Sequence, residues 1–315
     1  HSWLKSSFTA ITKNAHALEL DSITMGDNDK DADEEPDELE PVETGKQEVN
    51  AYFTVQNAAT FGDLVHKLFE KAEFEKAPSA SDGNDEDIST FHRLVFEGLK
   101  YFEEWKDLQE TLVNLILSTL TRPITFPNNR AFKLSDIKKS ERTAEMEFTM
   151  SVKGQVSAKD LKTLLDHFDA KYHLPELQDL DLQGFLTGFI DLAFTHDGEF
   201  WVLDWKTNKR GLKSAHDVTD VWVASQMKEH AYTLQYLIYL VALKRYLESI
   251  GIEKTPSGAI YVFVASGVEH KAQDNTGLWV DPVPPSLINC LDDFFANGYN
   301  EAKVREAAIL AAKGM

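Results

Sequence analysis

The sequence predicts an α/β fold: a small mixed sheet with helices on both faces and extra helices around it, in one domain over 1–315. Three observations predict this. Two apolar runs flank Asp197-Gly198 in GFIDLAFTHDGEFWVLDWKTN (188–208), which reads as a β-hairpin. GAIYVFVAS (258–266) is apolar and rich in β-formers, as a central strand requires. Around both, apolar residues recur at helical spacing.

In chain order, residues 3–12 read as a short strand or extended entry. Residues 27–48 hold eleven acidic residues against Lys30 and Lys46, so nearly half of the net charge of −20 sits in one short stretch. That stretch cannot bury enough apolar surface to offset its ordering entropy and reads as a disordered loop; SDGNDED (81–87) is read likewise. Over 59–75, Phe61, Leu64, Val65, Leu68 and Phe69 mark a helix, and 90–121 carries one or two more. AEMEFTMSV (144–152) alternates as a half-buried strand, with Met146, Phe148, Met150 and Val152 on one face and Glu145 and Glu147 on the other. A helix over 158–168 precedes the hairpin. A long helical region over 217–249 ends at Gly251, and a helix or helix pair over 284–313 closes the chain.

The single cysteine, Cys290, excludes a disulfide framework, an iron–sulfur cluster and a Cys-rich zinc site, and fits a reducing, cytoplasmic setting. No long apolar stretch predicts a membrane span. The acidic balance argues against nucleic acid only until its location is considered, because the excess is concentrated away from the apolar core.

The hairpin carries charge where apolar residues are expected. With Asp197-Gly198 as a two-residue turn, Asp191 lies directly opposite Asp204, the two Cβ atoms about 4.5–5.5 Å apart. Lys206 shares their face, while Ile190, Leu192, Phe194, Trp201, Leu203 and Trp205 point the other way into the core. A buried Asp–Lys–Asp cluster is one reading. Like charges directly opposite each other are avoided in sheets, however, and a divalent cation would supply the missing compensation. Carboxylate oxygens suit Mg²⁺ or Mn²⁺. Such a cation polarises a phosphoryl oxygen and acidifies water, and Lys206 would orient that water or stabilise developing charge. The reaction class is metal-assisted phosphodiester hydrolysis.

Asp-x12-Asp-x-Lys across a hairpin resembles the PD-(D/E)xK (restriction-endonuclease-like) nuclease core, and the fuller string resembles the nuclease domain of the RecB family, the β subunit of exodeoxyribonuclease V. TFGDLVHKLFE (60–70) resembles that family's first helix and places His66 at its metal-ligand histidine. AEMEF (144–148) resembles its acidic strand, with Glu147 as the site-facing carboxylate; Glu145 shares the strand face, and only the motif chooses between them. EHAYTLQYLIYLVALKRYL (229–247) resembles its QxxxY helix and maps Gln235 and Tyr239, which on spacing alone also suit a hydrogen-bonded core pair. GAIYVFVASG and GLWVDPV resemble the closing strand and tail.

The resemblance implies a Mg²⁺-dependent deoxyribonuclease with His66, Asp191, Asp204 and the Trp205 carbonyl as metal ligands. Lys206 is then the water-activating residue, assisted by Glu147, Gln235 and Tyr239. Mn²⁺ is an alternative, and Ca²⁺ is expected to bind without supporting cleavage. Lys209, Arg210 and Lys213, which follow the hairpin, read as a solvated loop or as DNA phosphate contacts. Implied partners are DNA and RecC-like and RecD-like subunits, with a role in double-strand-end processing and recombinational repair. The sequence holds no G-x-x-x-x-G-K-[ST] loop and begins His-Ser-Trp, so the expectation is a nuclease domain from a longer polypeptide, without its helicase. The alternative is a catalytically silent nuclease-like module that docks or regulates partner subunits. Hydrolysis of a smaller phosphodiester also stays open.

Overall fold

Asp197 and Gly198 both take positive φ, 51° and 74°, the left-handed pair that a type I′ turn requires. The hairpin closes around them in the expected register, with His196 paired to Glu199 and Leu192 to Leu203. The computed structural model describes residues 5–7, 50–174, 181–268 and 275–314. Its strands are β1 (Lys5–Ser7), β2 (Pro123–Thr125), β3 (Ala131–Lys133), β4 (Arg142–Ser157), β5 (Asp181–His196), β6 (Glu199–Lys206), β7 (Gly258–Phe263) and β8 (Leu278–Pro282). Its principal helices are α1 (Ala58–Lys71), α2 (Asp85–Leu99), α3 (Gln109–Thr121), α4 (Ala158–Leu165), α5 (Asp220–Glu229), α6 (Tyr232–Ser249), α7 (Pro285–Asn297) and α8 (Glu301–Ala312).

Six strands form a mixed sheet in the order β1-β5-β6-β7-β8, with β4 on the other side of β5. The β1–β5 and β6–β7 pairs are parallel and the rest antiparallel. β7 is buried at every position, as its uninterrupted apolar run predicts for a strand covered on both faces. Helix α6 lies over β4, β6 and β7, and α7 packs against both α6 and β4. Lys244 and Arg245 of α6 both bond to Asp292 of α7, at 2.7 and 2.6 Å. On the opposite sheet face, Phe69 of α1 stacks on Trp205 of β6, with centroids 4.1 Å apart and planes 13° apart.

Several expectations need correction. SDGNDED is not a disordered loop. Asn84 caps α2 through Asp87 N–H, and Asp85, Glu86 and Asp87 occupy the first turn, where negative charge favours a helix. The long helical region over 217–249 is two helices, broken where Ala231 takes φ 51°, ψ 32°. That conformation costs an L-residue about 1–2 kcal/mol. The hairpin is buried on both faces, so Asp204 and Lys206 are only 3% and 2% exposed. The small β2–β3 hairpin adds a pair of strands not expected from the pattern. Residues 27–48 and most of the 3–12 entry lie outside the described residues; within that entry, Lys5–Ser7 pairs with Phe185–Thr187.

Candidate active site

Four elements bring the charged side chains together. The first is the hairpin itself. Its ladder stops at Leu192↔Leu203, one residue short of the expected Asp191–Asp204 pair. There the Asp191 carboxylate instead accepts the Trp205 N–H, at 2.8 Å. Asp204 turns to Lys206, with Oδ2 at 2.8 Å from Nζ.

Helix α1 supplies His66, the one polar residue among seven buried on its inner face. Two contacts seat the helix. Gly62 leaves room for Thr207, since a Cβ there would stand 3.0 Å from Thr207 Oγ1. One turn past His66, Phe69 stacks on Trp205. His66 Nδ1 therefore reaches Asp191 Oδ2 at 3.2 Å. Burial pushes the Asp191 carboxyl up, but His66, the Lys206 charge and the Trp205 N–H outweigh it and hold the group below its ordinary value.

The third element is β4, where Glu145, and not the expected Glu147, lies with His66 and Asp191. In register, Glu145 faces Asp191, between the Ala144↔Leu192 and Met146↔Ile190 pairs. It takes φ 48°, which no regular strand residue does. One donor atom from each of His66, Glu145 and Asp191 lies within 4.8 Å of the others. Glu147 instead pairs with Phe189 on an exposed strand face. Strained backbone of this kind concentrates at functional sites.

The fourth element is the layer of α6 and β7 behind the lysine. Tyr261, in register with Asp204, donates its hydroxyl to Gln235 Oε1 at 2.7 Å. Burial and the Asp204 charge raise the Tyr261 phenol well above its ordinary value, so it stays a donor. Gln235 thus sits behind Tyr261, whose ring centroid lies 5.3 Å from Lys206 Nζ. Tyr239 is buried one turn on, edge-on to Phe148. The three basic residues after β6 divide. Arg210 and Lys213 are exposed, whereas Lys209 is buried, its amine bonded to the carbonyls of Val55 at 2.6 Å and Tyr52 at 3.3 Å. Its expected place on a solvated, DNA-facing loop is therefore corrected: its ammonium lies 5.8 Å from the Tyr52 ring centroid and 5.4 Å from that of Phe61.

A buried imidazole nitrogen and converging carboxylate oxygens form a donor set that fits a hard divalent cation such as Mg²⁺ or Mn²⁺. Cys290 is not among these donors, and burial pushes its thiol up to about 11. Among the described residues, no helix is long and apolar enough to cross a membrane.

The sequence profile of the PD-(D/E)XK nuclease superfamily matches residues 44–308. The chain is similar to the RecBCD enzyme subunit RecB of Escherichia coli (strain K12), 28% identical over 299 residues that cover 93% of this chain and 23% of that subunit. It is similar to the same subunit of Haemophilus influenzae, 28% identical over 74% of this chain and 18% of that protein. With the subunit of Borreliella burgdorferi it shares 26% identity over 93% of this chain and 22% of that protein. The chain thus spans less than a quarter of the length of these relatives. The matched region contains α1, β4, the hairpin, α6 and β7, which carry every residue of the cluster, and the chain belongs to the PD-(D/E)XK nuclease superfamily.

Proposed function

We propose that the chain is a divalent-metal-dependent deoxyribonuclease domain that hydrolyses DNA phosphodiester bonds as part of a RecBCD-type enzyme acting at double-strand ends in recombinational repair. The observation that carries this reading is the convergence of His66, Glu145 and Asp191 beside the buried Asp204–Lys206 pair. His66, Glu145 and Asp191 would hold Mg²⁺, with Asp204 and the Trp205 carbonyl as further oxygen donors within the same hairpin. When bound, such a cation supplies phosphoryl polarisation and a more acidic water. Lys206, fixed by Asp204, places a positive charge where the pentavalent phosphate accumulates negative charge. Tyr261 and Gln235, hydrogen-bonded to each other in the core, back this pair. Arg210 and Lys213 lie exposed beyond β6, where they would contact the DNA backbone without reading its sequence. RecC-like and RecD-like subunits would deliver the strand.

The test is cleavage of single- and double-stranded DNA in Mg²⁺, Mn²⁺, Ca²⁺ or chelator, repeated with Asp204→Ala and Glu145→Gln. Cleavage is expected in Mg²⁺ or Mn²⁺ only and is expected to disappear in both variants. Intact DNA with the unsubstituted chain in Mg²⁺ and Mn²⁺ would refute the catalytic reading in favour of a docking module. Persistent cleavage in Asp204→Ala would place the chemistry elsewhere.

A further inference from the structure

A buried ammonium points wherever its surroundings direct it. Lys206 is 2% exposed. Beside Asp204, its amine meets two ring faces, Tyr232 with its centroid at 4.0 Å and Tyr261 at 5.3 Å. The rings stand 5.5 Å apart at 40°, forming an aromatic corner around the charge. The negative face of an aromatic ring attracts a cation most strongly when water is excluded.

Tyr261 is held by β7 and Gln235, but Tyr232 is held by a device of its own. Its hydroxyl donates to Asn208 Oδ1 at 3.0 Å. His230 stacks on its ring, with centroids 5.1 Å apart and planes 19° apart, and His230 Nε2 lies 3.4 Å from Asn208 Nδ2. Three side chains thus close a triangle. The left-handed Ala231 sets His230 and Tyr232 side by side, at the break between α5 and α6. A non-glycine residue persists in that region only where its surroundings over-determine it. Asn208 is 3% exposed and follows Lys206 by two residues, so the clamp and the lysine share one chain segment.

We propose that Tyr232, clamped by Asn208 and His230, is a positioning residue that aims the Lys206 ammonium at the reacting phosphate alongside Asp204. This rests on the nuclease reading above. The ring face does the aiming, and the hydroxyl serves only to orient the ring.

The experiment compares Tyr232→Leu, Tyr232→Phe and His230→Ala with the unsubstituted chain. It measures kcat and KM for oligonucleotide cleavage in Mg²⁺, Mn²⁺ binding by calorimetry, and thermal unfolding. Tyr232→Leu should lower kcat about 30-fold, equivalent to ~2 kcal/mol of desolvated cation–π attraction. KM and Mn²⁺ affinity should stay within about twofold, since substrate and metal contacts are untouched. Tyr232→Phe should recover kcat to within roughly fivefold, because the ring is retained. His230→Ala, which spares the ring, should lie between the two and gives the same answer if Tyr232→Leu does not fold. A kcat in His230→Ala and Tyr232→Leu equal to that of the unsubstituted chain overturns the proposal. So do equal losses in Tyr232→Leu and Tyr232→Phe, which would assign the effect to the hydroxyl. No cleavage by the unsubstituted chain overturns the nuclease reading instead.

Discussion

Lys209 gives the clearest separation between what the basic run suggests and what the fold does with it. Lys209→Met keeps an unbranched apolar side chain at this buried position and removes the ammonium, which faces the Tyr52 and Phe61 rings. Val55 O then loses a charged donor at 2.6 Å, while Tyr52 O retains the Val55 N–H at 3.4 Å. A hydrogen bond from a charged group contributes about 1.5–3 kcal/mol, partly offset here by relief of burying the charge, so a loss of ~2 kcal/mol is expected. With a urea slope of about 2–3 kcal/mol/M, the unfolding midpoint should fall by roughly 0.7–1 M. DNA affinity provides the contrast. A lysine on a phosphate contributes about 0.9 to the slope of log affinity against log salt, and Lys209→Met should leave that slope unchanged. Arg210→Ala, by contrast, should reduce it by roughly that amount. An unchanged midpoint together with a reduced salt slope in Lys209→Met would show the amine on DNA and refute the burial argument.

Three further outcomes follow from the packing and the titrating groups. In Gly258→Ala the new Cβ would stand 2.1 Å from the Asp281 carbonyl oxygen and 2.7 Å from the Trp201 ring, so β7 and β8 must separate. The loss should reach about 3 kcal/mol, read by thermal denaturation, and an unshifted transition would contradict that close approach. At pH 8 the buried Cys290, its thiol at about 11, should react with a disulfide reagent about two orders of magnitude more slowly in the native than in the unfolded chain. Asp217 accepts the Lys213 and Ser214 N–H groups at 2.8 and 2.9 Å, and these bonds depress its carboxyl below 3.8. A depressed carboxyl stabilises above its unfolded value and loses that contribution as pH falls through the folded one. Unfolding in mild denaturant should therefore show an acid-side loss near or below pH 4 that Asp217→Asn lacks.

Much of this was legible because local chemistry decided it. An Asp-Gly pair between alternating runs admits few turns, and the hairpin register follows. The helix carrying His66 was legible from its apolar stripe, whereas the place of His66 beside the carboxylates came only from the resemblance of TFGDLVHKLFE to the nuclease family's first helix. Other features depend on residues far away in the chain. Lys209 reads as one of three solvated basic residues until Tyr52 and Val55 arrive from more than 150 positions earlier. The break at Ala231 carries no sequence mark, since glycine or asparagine is the usual left-handed residue. The β2–β3 hairpin did leave a signal in Pro127-Asn128-Asn129, where Asn129 takes φ 62°. Tyr261, one of two tyrosines in the core facing Lys206, was legible only as the lone hydroxyl in an apolar strand.

The choice of Glu145 over Glu147 has a cause that no alternation pattern contains. Glu145, Asp191 and Asp204 fall on one row across β4, β5 and β6, and a regular sheet would hold three carboxylates on one face at strand spacing. Their repulsion would be severe in a buried setting. The sheet departs from regularity at that row in both ladders. Glu145 leaves the β4–β5 ladder by adopting positive φ, and Asp191 leaves the β5–β6 ladder by taking the Trp205 N–H on its side chain. Each departure turns one carboxylate toward His66 and leaves Asp204 to Lys206. The two irregularities are therefore one structural event: a row of like charges divided into a donor cluster and an ion pair. Restoring regular backbone at Glu145 would return its carboxylate to the row and remove it from His66.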